Sequence, residues 1–172
     1  MDLLKISYNY EGDFMSPDPY RVRFAEKKDV DKLVDLVVRL KKLNEEFDPL
    51  YAVREDIIDA AKNYLVNSFD REDVFILVAE SGERIIGLIR VEIRSRIFYQ
   101  PLFEGVITDL YVCPIYRNKG VGGLLIEEAI KILRSKGINL ISAEFPPMNK
   151  IAVDFYQKKG FKPLLYKFFK EI

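Results

Sequence analysis

The chain has 172 residues, and its 27 Lys and Arg side chains balance its 27 Asp and Glu side chains. This neutral total argues against a general binder of nucleic acid or membrane surfaces, because such a protein needs a basic excess to neutralise phosphates. The sequence has no His, which excludes Ser-His-Asp and Cys-His nucleophile systems and metal sites that depend on imidazole.

The predicted elements follow from hydrophobic periodicity. Residues that alternate between apolar and polar predict strands, and apolar residues three or four positions apart predict helices. In chain order we expect a strand at 20–24, helices at 29–44 and 55–69, a hairpin of strands at 74–79 and 84–94, a strand at 105–112, a helix at 121–135, a strand at 139–143, a helix at 150–158 and a last strand at 161–169. A hairpin followed by crossover units predicts an α/β (α+β) fold with a mixed sheet and helices on both faces.

Length predicts a single domain, which we place at residues 20–172, after an irregular N-terminal arm at residues 1–19. The single cysteine, Cys113, excludes an intrachain disulfide. The longest apolar run, Val74 to Ala79, is much shorter than the ~20 residues that a membrane helix requires. These features favour a cytoplasmic protein.

The neutral total conceals an uneven distribution of charge. Residues 1–112 carry 16 basic and 22 acidic side chains, whereas residues 113–172 carry 11 and 5. The first part therefore suits a cationic ligand, and the second part suits an anionic one.

A glycine-rich turn after the strand at 105–112 is the most informative motif. Gly120, Gly122 and Gly123 lie at the start of a predicted helix, where free N–H groups and the helix dipole favour an anion such as pyrophosphate. Arg117 and Lys119 strengthen that preference. The G-x-G-x-x-G motif of dinucleotide-binding folds is broken by Leu125, and no G-x-x-x-x-G-K-[ST] motif is present. The alternative is that these glycines only begin a helix.

Three motifs follow one another along the chain. The turn reads [Arg/Gln]-x-x-Gly-x-[Gly/Ala] from Arg117 to Gly122. The preceding strand reads Leu-Tyr-Val-x-Pro from Leu110 to Pro114. A downstream Asn-x-x-Ala-x-x-Phe-Tyr-x-x-x-Gly-Phe block runs from Asn149 to Phe161. In register, and together with the element order over residues 20–172, these motifs resemble the GCN5-related N-acetyltransferase (GNAT) family.

The resemblance implies an acetyl-CoA (coenzyme A) site between two splayed parallel central strands. The pyrophosphate is expected at the glycine turn, formed by Arg117, Asn118, Lys119, Gly120, Val121, Gly122 and Gly123. The pantetheine arm is expected along the backbone of Leu110, Tyr111 and Val112, whose side chains are equally well interpreted as core. Asn149 is expected to contact the same arm, although Asn is also a favoured helix N-cap.

The resemblance also implies the chemistry. Tyr156 is expected to protonate the departing thiolate, and general acids of this kind contribute about 10²- to 10⁴-fold, although an aromatic at helical spacing is more often a core residue. The base is less determined. Asp109 and Glu104 are candidates on the strand that leads to the cofactor, and Glu45, Glu46 and Asp48 are candidates in the loop after the first helix. Strict alternation places Asp109 and Tyr111 on one face of that strand and Thr108 with Leu110 on the other.

The segment between the first two helices is expected to shape the acceptor site. It combines carboxylates and aromatic rings, which attract and stack on a cationic amine: Glu45, Glu46, Phe47, Asp48 and Tyr51. A solvated acidic loop is the alternative interpretation. The leading hypothesis is an N-acetyltransferase in which a primary amine of a small molecule, peptide or protein attacks the thioester directly. The competing hypothesis is a non-catalytic acyl-CoA-binding or sensing module. A homodimer is possible, with the aromatic C-terminal strand as one contact surface.

Overall fold

The computed structural model describes residues 20–172 of the chain. The N-terminal arm that we predict at residues 1–19 lies outside the described residues. The helices and strands, numbered in chain order, are β1 Arg21–Phe24, α1 Val30–Phe47, α2 Ile57–Phe69, β2 Val74–Ser81, β3 Arg84–Ser95, β4 Phe103–Val112, α3 Val121–Ser135, β5 Ile141–Ala143 and α4 Lys150–Lys158. No helix among the described residues is long and apolar enough to cross a membrane.

The sheet combines antiparallel and parallel pairing. Its strands lie in the order β1-β2-β3-β4-β5. The first four pair antiparallel with their neighbours, whereas β4 pairs parallel with β5, Gly105–Ile107 against Ile141–Ala143. The predicted fold class, a largely antiparallel mixed sheet, is therefore confirmed.

Helices cover both faces of the sheet because each helix has one apolar side. On one face, Leu33 of α1 and Leu65 of α2 are fully buried against Val78. On the other face, Leu125 and Leu133 of α3 are buried together with α4 residues. Each buried leucine contributes about 2 kcal/mol, so both helix layers are tied firmly to the sheet and the ends of its strands keep fixed positions.

A β-bulge in β4 changes which face its polar residues occupy. Asp109 and Ile107 lie opposite successive residues of β3, so Thr108 between them is the extra residue. The hydroxyl of Tyr64 on α2 lies 3.3 Å from the Thr108 hydroxyl and 2.5 Å from the Asp109 carboxylate. A bulge breaks the alternation of a strand, and both side chains therefore point to the α2 side. The prediction that Thr108 shares a face with Leu110 is wrong for this reason.

The first helix extends further than its periodicity predicts. α1 continues past Asn44 to Phe47, so Glu45 and Glu46 belong to its last turn and not to a loop. Asp48 then ends the helix in an extended conformation, and its carboxylate accepts a hydrogen bond from the Leu50 N–H (2.9 Å). A short side chain that bonds the backbone two residues on stabilises such a turn.

The predicted last strand is wrong. In the described part of the chain, residues 161–169 form no strand, and the side chains of Leu165 and Phe168 are 83% and 90% exposed. The segment has the composition of a strand, but a strand also needs a neighbour that bonds its backbone groups. No strand of the same chain pairs with this segment in residues 20–172.

Candidate active site

A cleft opens where β4 and β5 separate. Their parallel pairing ends at Ile107 and Ala143, and the last backbone bond between them runs from the Glu144 N–H to the Ile107 carbonyl (3.1 Å). β4 continues to Val112, whereas β5 has already ended. The cleft, of about 400 Å³, lies between the second half of β4, the end of α1, the glycine turn and one side of α4.

Most of the residues predicted for the cofactor and the reaction meet in this cleft. Two parts of the sequence, residues 109–122 and 149–156, supply them. The predicted residues that line it are Asp109, Leu110, Tyr111, Val112, Arg117, Asn118, Gly122, Asn149 and Tyr156. Lys119, Gly120, Val121 and Gly123 lie in the same turn and the first turn of α3 but do not line the cleft.

The glycine turn leaves the first backbone donors of α3 without a side-chain cap. Asn118 and Gly120 have φ values of +59° and +85°, a left-handed conformation that Gly adopts without steric cost. α3 begins at Val121 with no side chain of the preceding residue bonded to its free N–H groups. Uncapped N–H groups and the helix dipole together favour an anion at this position.

Two basic side chains lie around the turn. The Arg117 Nε donates a hydrogen bond to the Val112 carbonyl (3.0 Å), and its guanidinium lies 5.4 Å from the centre of the Tyr111 ring. Arg117 therefore ties the turn to the end of β4. Lys119 has its ammonium 5.6 Å from the centre of the Tyr116 ring. Both charges add to the preference of the turn for an anion.

Tyr156 lies on α4 among aromatic rings. Its ring stacks on Phe145, with centroids 5.0 Å apart and planes 8° apart, and meets the edges of Phe155 and Phe161 at 5.3 and 5.1 Å. Tyr156 is only 7% exposed, yet it lines the cleft. Burial, and secondarily the negative charge of Asp109, raise the pKa of Tyr156. The hydroxyl is therefore protonated at neutral pH and available as a proton donor.

Asn149 begins α4 and also contacts α1. Its Oδ1 accepts a hydrogen bond from the Ala152 N–H (3.0 Å), and its Nδ2 donates to the Asn44 Oδ1 (3.3 Å). The N-cap interpretation of Asn149 is therefore correct. The residue is 4% exposed and lines the cleft, and its bond to Asn44 joins the start of α4 to the end of α1. Its predicted contact with the cofactor arm stays a prediction.

Asp109 is completely buried at the bulge of β4. One carboxylate oxygen accepts a hydrogen bond from the Lys41 ammonium (2.6 Å). The other accepts from the hydroxyls of Tyr64 (2.5 Å) and Thr108 (3.1 Å). Its side chain has no exposed surface, whereas that of Lys41 is 35% exposed. Both oxygens are thus already engaged, which limits the capacity of Asp109 to accept another proton directly.

A second buried charge, Arg90 of β3, supports the same cluster. Its guanidinium donates to the hydroxyls of Ser68 (2.9 Å) and Thr108 (2.8 Å) and lies 4.4 Å from the centre of the Tyr64 ring. Among the described residues, every buried side-chain nitrogen and oxygen has a hydrogen-bond partner. Fully satisfied polar networks are rigid, so Asp109 is held in one position. The burial of Tyr64 and, secondarily, the charge of Asp109 raise the pKa of that phenol.

The remaining predicted residues lie away from the cleft. Glu104 is near the opposite end of β4, where its carboxylate accepts a hydrogen bond from the Ser142 hydroxyl (3.0 Å), and it does not line the cleft. The structure therefore does not bring Glu104 to Tyr156. The acidic segment also stays outside the lining: Glu45, Glu46, Phe47, Asp48 and Tyr51.

Sequence reasoning missed several residues of the lining. Leu40, Leu43 and Asn44 come from the end of α1, whereas Glu144 and Phe145 follow β5 and Ile151, Asp154 and Phe155 lie on α4. A signal was available for Phe155, because it belongs to the same motif as Tyr156. No comparable signal marked the α1 residues, because apolar positions at helical spacing predict a buried helix face without indicating which part of it lines a cleft.

No group of three or more acidic or thiol side chains able to hold a metal ion is present among residues 20–172. The arrangement offers an anion site at the glycine turn, a strand edge beside it and a protonated phenol in the same cleft. These are the parts needed to bind an extended anionic cofactor and to protonate a leaving group at its other end.

The model of the acetyltransferase (GNAT) family matches residues 38–161. This span includes the whole cleft and most of the sheet. The chain therefore belongs to the GNAT family, as its motifs predict.

Two curated relatives agree with this assignment. The chain is 31% identical over 100 residues to a spermidine N(1)-acetyltransferase of Thermoplasma acidophilum, covering 58% of each chain. It is 26% identical over 145 residues to an uncharacterised N-acetyltransferase of Methanocaldococcus jannaschii, covering 83% of this chain and 61% of that one. The chain thus spans about six tenths of the length of these two relatives.

The fold also matches solved acetyltransferase structures. An aminoglycoside N-acetyltransferase solved with CoA superposes with a TM-score of 0.71 at 17% identity, covering 89% of this chain and 94% of that one. The apo aminoglycoside 6′-N-acetyltransferase of Acinetobacter haemolyticus has the same TM-score and identity, covering 88% and 99%. At this level of identity the likeness concerns the fold.

Proposed function

We propose that the protein is an acetyl-CoA-dependent N-acetyltransferase that transfers the acetyl group directly to a primary amine. The observation that carries this proposal is that the glycine turn and Tyr156 line one cleft, with the end of β4 between them. A binding module needs only the turn. A protonated phenol in the same cleft adds the group that acetyl transfer from a thioester requires.

The residues present fit coenzyme A. The turn from Arg117 to Gly123 would hold the pyrophosphate, the backbone of Leu110 to Val112 would pair with the pantetheine arm, and Asn149 would contact that arm. Bound acetyl-CoA supplies an activated acetyl thioester. A related family structure solved with CoA supports the choice of cofactor.

Tyr156 is the proposed general acid. As the amine nitrogen bonds to the acetyl carbon, the carbon–sulfur bond breaks and the sulfur takes the phenolic proton. The stacked Phe145 fixes the ring, and burial keeps the proton on the phenol until it is needed. Direct transfer is preferred to a covalent route through Cys113, because burial raises the pKa of that thiol and lowers its thiolate fraction.

The amine must lose a proton during the reaction. Because both oxygens of Asp109 are engaged by Lys41, Tyr64 and Thr108, we assign that proton to cleft water. The water then returns a proton to the phenolate that Tyr156 becomes when the thiol forms. Asp109 then acts as a positioning residue that keeps the bulge and its neighbours in place. The carboxylate of Asp154 also lines the cleft, and its charge favours a cationic amine there. The carboxylate of Glu144 lines the cleft too, but it is paired with Arg94 (2.7 Å).

The proposed acceptor is a primary amine, on a small molecule or on a peptide. One relative is named for spermidine and two fold neighbours for aminoglycosides, which supports amino-bearing acceptors. The apolar side chains of Leu40 and Leu43 next to Asn44 are suited to the carbon body of such a molecule. The acidic residues Glu45 and Glu46, which lie outside the lining, are proposed to attract the cation from a distance.

The experiment is a panel of amines with acetyl-CoA, measured as release of the coenzyme A thiol. The panel contains spermidine, an aminoglycoside, and peptides with a free N-terminus or a single lysine; each amine is matched by its N-acetylated form. At least one free amine should release coenzyme A, and its acetylated counterpart should not. Release from no amine at all, despite acetyl-CoA binding, would contradict the proposal.

Binding is tested separately by thermal unfolding. A ligand at 100 times its dissociation constant adds about 2.7 kcal/mol, which corresponds to roughly 5 to 10 °C in Tm for a chain of this size. Acetyl-CoA should give this shift, and ATP and NAD should not. A shift with ATP or NAD alone would overturn the assignment of the cofactor.

A non-catalytic acyl-CoA-binding module is the second candidate. It is favoured by one observation, namely that Asp109, the acid on the strand beside the cofactor site, is fully engaged by protein groups. The two functions differ in one combination of results: the module predicts the acetyl-CoA shift in Tm together with no turnover of any amine.

A further inference from the structure

Lys159, at the end of α4, lies against the first turn of α3. A Cβ atom on Gly123 would be 2.6 Å from the Lys159 Nζ and 3.2 Å from its Cε. Phe155, four residues earlier and hence on the same face of α4, approaches Gly122 in the same way, with its Cζ 3.0 Å from the corresponding Cβ position. α4 therefore packs on the glycine turn through two side chains, one of which is charged.

Room for this lysine explains why residue 123 is a glycine. Gly123 is not one of the glycines with a positive φ, so its backbone conformation does not require glycine. Glycine also destabilises a helix relative to alanine. A methyl group at this position would meet the Lys159 ammonium and displace it. The close approach of Lys159 is therefore a built feature of the turn.

The Lys159 ammonium occupies an electrostatically unfavourable position in the protein alone. The first turn of α3 has uncapped N–H groups and no acidic side chain, so it is the positive end of the helix dipole, where a cation is destabilising. Among the described residues the ion-pair partner of Lys159 is Glu127, whose Oε1 is 3.8 Å from the Nζ, too far for a hydrogen bond. A bound anion would offset this repulsion.

Lys159 lies outside the lining of the cleft, whereas its neighbour Lys158 belongs to it. Successive residues of a helix project about 100° apart, so the two side chains reach different places. In the proposed function the cleft takes coenzyme A from the thioester to the pyrophosphate. Coenzyme A carries a further phosphate on the 3′ oxygen of its ribose, beyond the pyrophosphate, and this end of the molecule emerges from the cleft past the glycine turn.

We infer that Lys159 binds the 3′-phosphate of coenzyme A and makes the site selective for coenzyme A over 3′-dephospho-coenzyme A. A phosphate monoester carries a charge of about −1.5 to −2 at neutral pH, and an ammonium that donates to it forms a charge-assisted hydrogen bond. The phosphate also offsets the repulsion between Lys159 and the start of α3. The inference rests on the proposed function, because it takes coenzyme A as the ligand of the cleft.

The test compares the two ligands by isothermal titration calorimetry, which requires no turnover. Lys159→Met keeps an unbranched apolar side chain against Gly123 and removes the charge. The matched control is Lys136→Met, the same change at the other end of α3, about 20 Å away along the helix. It removes an equal charge at a position without contact with the ligand. Thermal unfolding shows that both variants are folded.

The wild-type chain should bind coenzyme A about tenfold more tightly than 3′-dephospho-coenzyme A, the effect of one hydrogen bond between charged groups. Lys159→Met should lose this preference, because its affinity for coenzyme A falls about tenfold while its affinity for 3′-dephospho-coenzyme A stays within about twofold of the wild type. Lys136→Met should keep the preference of the wild type.

Three results would overturn the inference. The first is an equal affinity of the wild-type chain for the two ligands. The second is an equal loss of affinity for both ligands in Lys159→Met, which is the outcome expected if Lys159 has a purely structural role or binds the pyrophosphate. The third is the same loss of preference in Lys136→Met, which would attribute the effect to net charge.

The result is separable from the proposed function. A wild-type chain that binds neither ligand contradicts the proposed cofactor and with it this inference, whereas binding of coenzyme A without the preference contradicts only the role of Lys159. A preference that depends on Lys159, together with no turnover of any amine, supports this inference and contradicts only acetyl transfer.

Discussion

The two walls of the cleft are stabilised by different interactions. On the α4 wall, Tyr156 packs among three phenylalanine rings and keeps its hydroxyl for the cleft. On the β4 wall, Asp109 is surrounded by hydrogen-bond donors that use both of its oxygens. Aromatic packing leaves the polar tip of a tyrosine free, whereas a satisfied polar network leaves no group free. The difference supports the proposal that the α4 wall donates the proton and the β4 wall supplies rigidity.

Removal of the Tyr156 hydroxyl should have the largest effect. Tyr156→Phe keeps the ring and its packing, so the free energy of unfolding should change little, while kcat should fall by about 10²- to 10⁴-fold. Steady-state coenzyme A release measures kcat. The control is Tyr99→Phe, the same change at a 67% exposed position in the β3–β4 loop. A kcat for Tyr156→Phe within tenfold of the wild type would remove Tyr156 from the role of general acid.

Loss of the buried charge on the opposite wall should affect stability instead. Asp109→Asn leaves the Lys41 ammonium without its counter-charge, and breaking a buried pair costs about 3 to 5 kcal/mol. Because Lys41 is 35% exposed, we expect a smaller loss in the free energy of unfolding, about 2 to 3 kcal/mol. Urea denaturation measures it. Asp154→Asn, at an exposed acid of α4, should change stability by less than about 0.5 kcal/mol. Equal losses of stability in the two variants would show that the hydrogen bonds of Asp109 contribute no more to stability than an exposed acid does.

Tyr64 links stability to pH. Burial, and secondarily the charge of Asp109, raise its pKa above the ordinary value of 10.0, so the folded state keeps a proton that the unfolded chain releases. Stability is therefore fully present below about pH 10 and falls as the pH rises further. Tyr64→Phe removes the hydrogen bond to the Asp109 carboxylate and should lower the free energy of unfolding by about 1.5 kcal/mol at pH 7. Above pH 10 the stability of this variant should fall less steeply than that of the wild type.

Urea denaturation at pH 7, 9, 10 and 11 measures this dependence. Tyr99→Phe should keep the slope of the wild type, because Tyr99 is not buried. Parallel alkaline slopes for the wild type and Tyr64→Phe would contradict the role assigned to Tyr64.

A matched pair of glycine variants tests the anion site. Gly120 and Gly82 both have positive φ, +85° and +60°, with open space where a Cβ atom would lie. Substitution by Ala should cost each variant about 1 to 2 kcal/mol of stability through backbone strain. Only Gly120→Ala should weaken acetyl-CoA binding, by about tenfold, as measured by calorimetry. An equal affinity of both variants would place the pyrophosphate elsewhere.

The acidic end of α1 should have the smallest effect. Glu45 and Glu46 lie outside the cleft lining, so in the proposed function they would act on a cationic amine only through their electrostatic field. The double variant Glu45→Gln, Glu46→Gln should raise KM about two- to threefold at low salt, and the effect should disappear at high salt, where such interactions are screened. Glu72→Gln removes a charge from another exposed position and is the control. A KM change that persists at high salt would indicate direct contact with the substrate.

The accuracy of the sequence predictions followed the range of the interactions involved. The glycine turn and the N-cap at Asn149 were predictable, because each depends on the backbone of a few neighbouring residues. Thr108 was misplaced because the bulge arises from pairing with β3, 18 positions away. Lys41 gave no signal, since a lysine on an amphipathic helix is usually solvated, whereas this one meets an acid 68 positions away.

The amino-acid sequence by itself determined the helices, most of the strands and the family motifs, because periodicity and turn chemistry act over a few residues. Tertiary structure alone decided which carboxylates reach the cleft. It engaged Asp109, left Glu104 near the far end of β4 and drew the end of α1 into the cleft wall. The physical reason is that burial and ion pairing depend on which distant segments meet, and a carboxylate has the same local pattern whether it is free or paired.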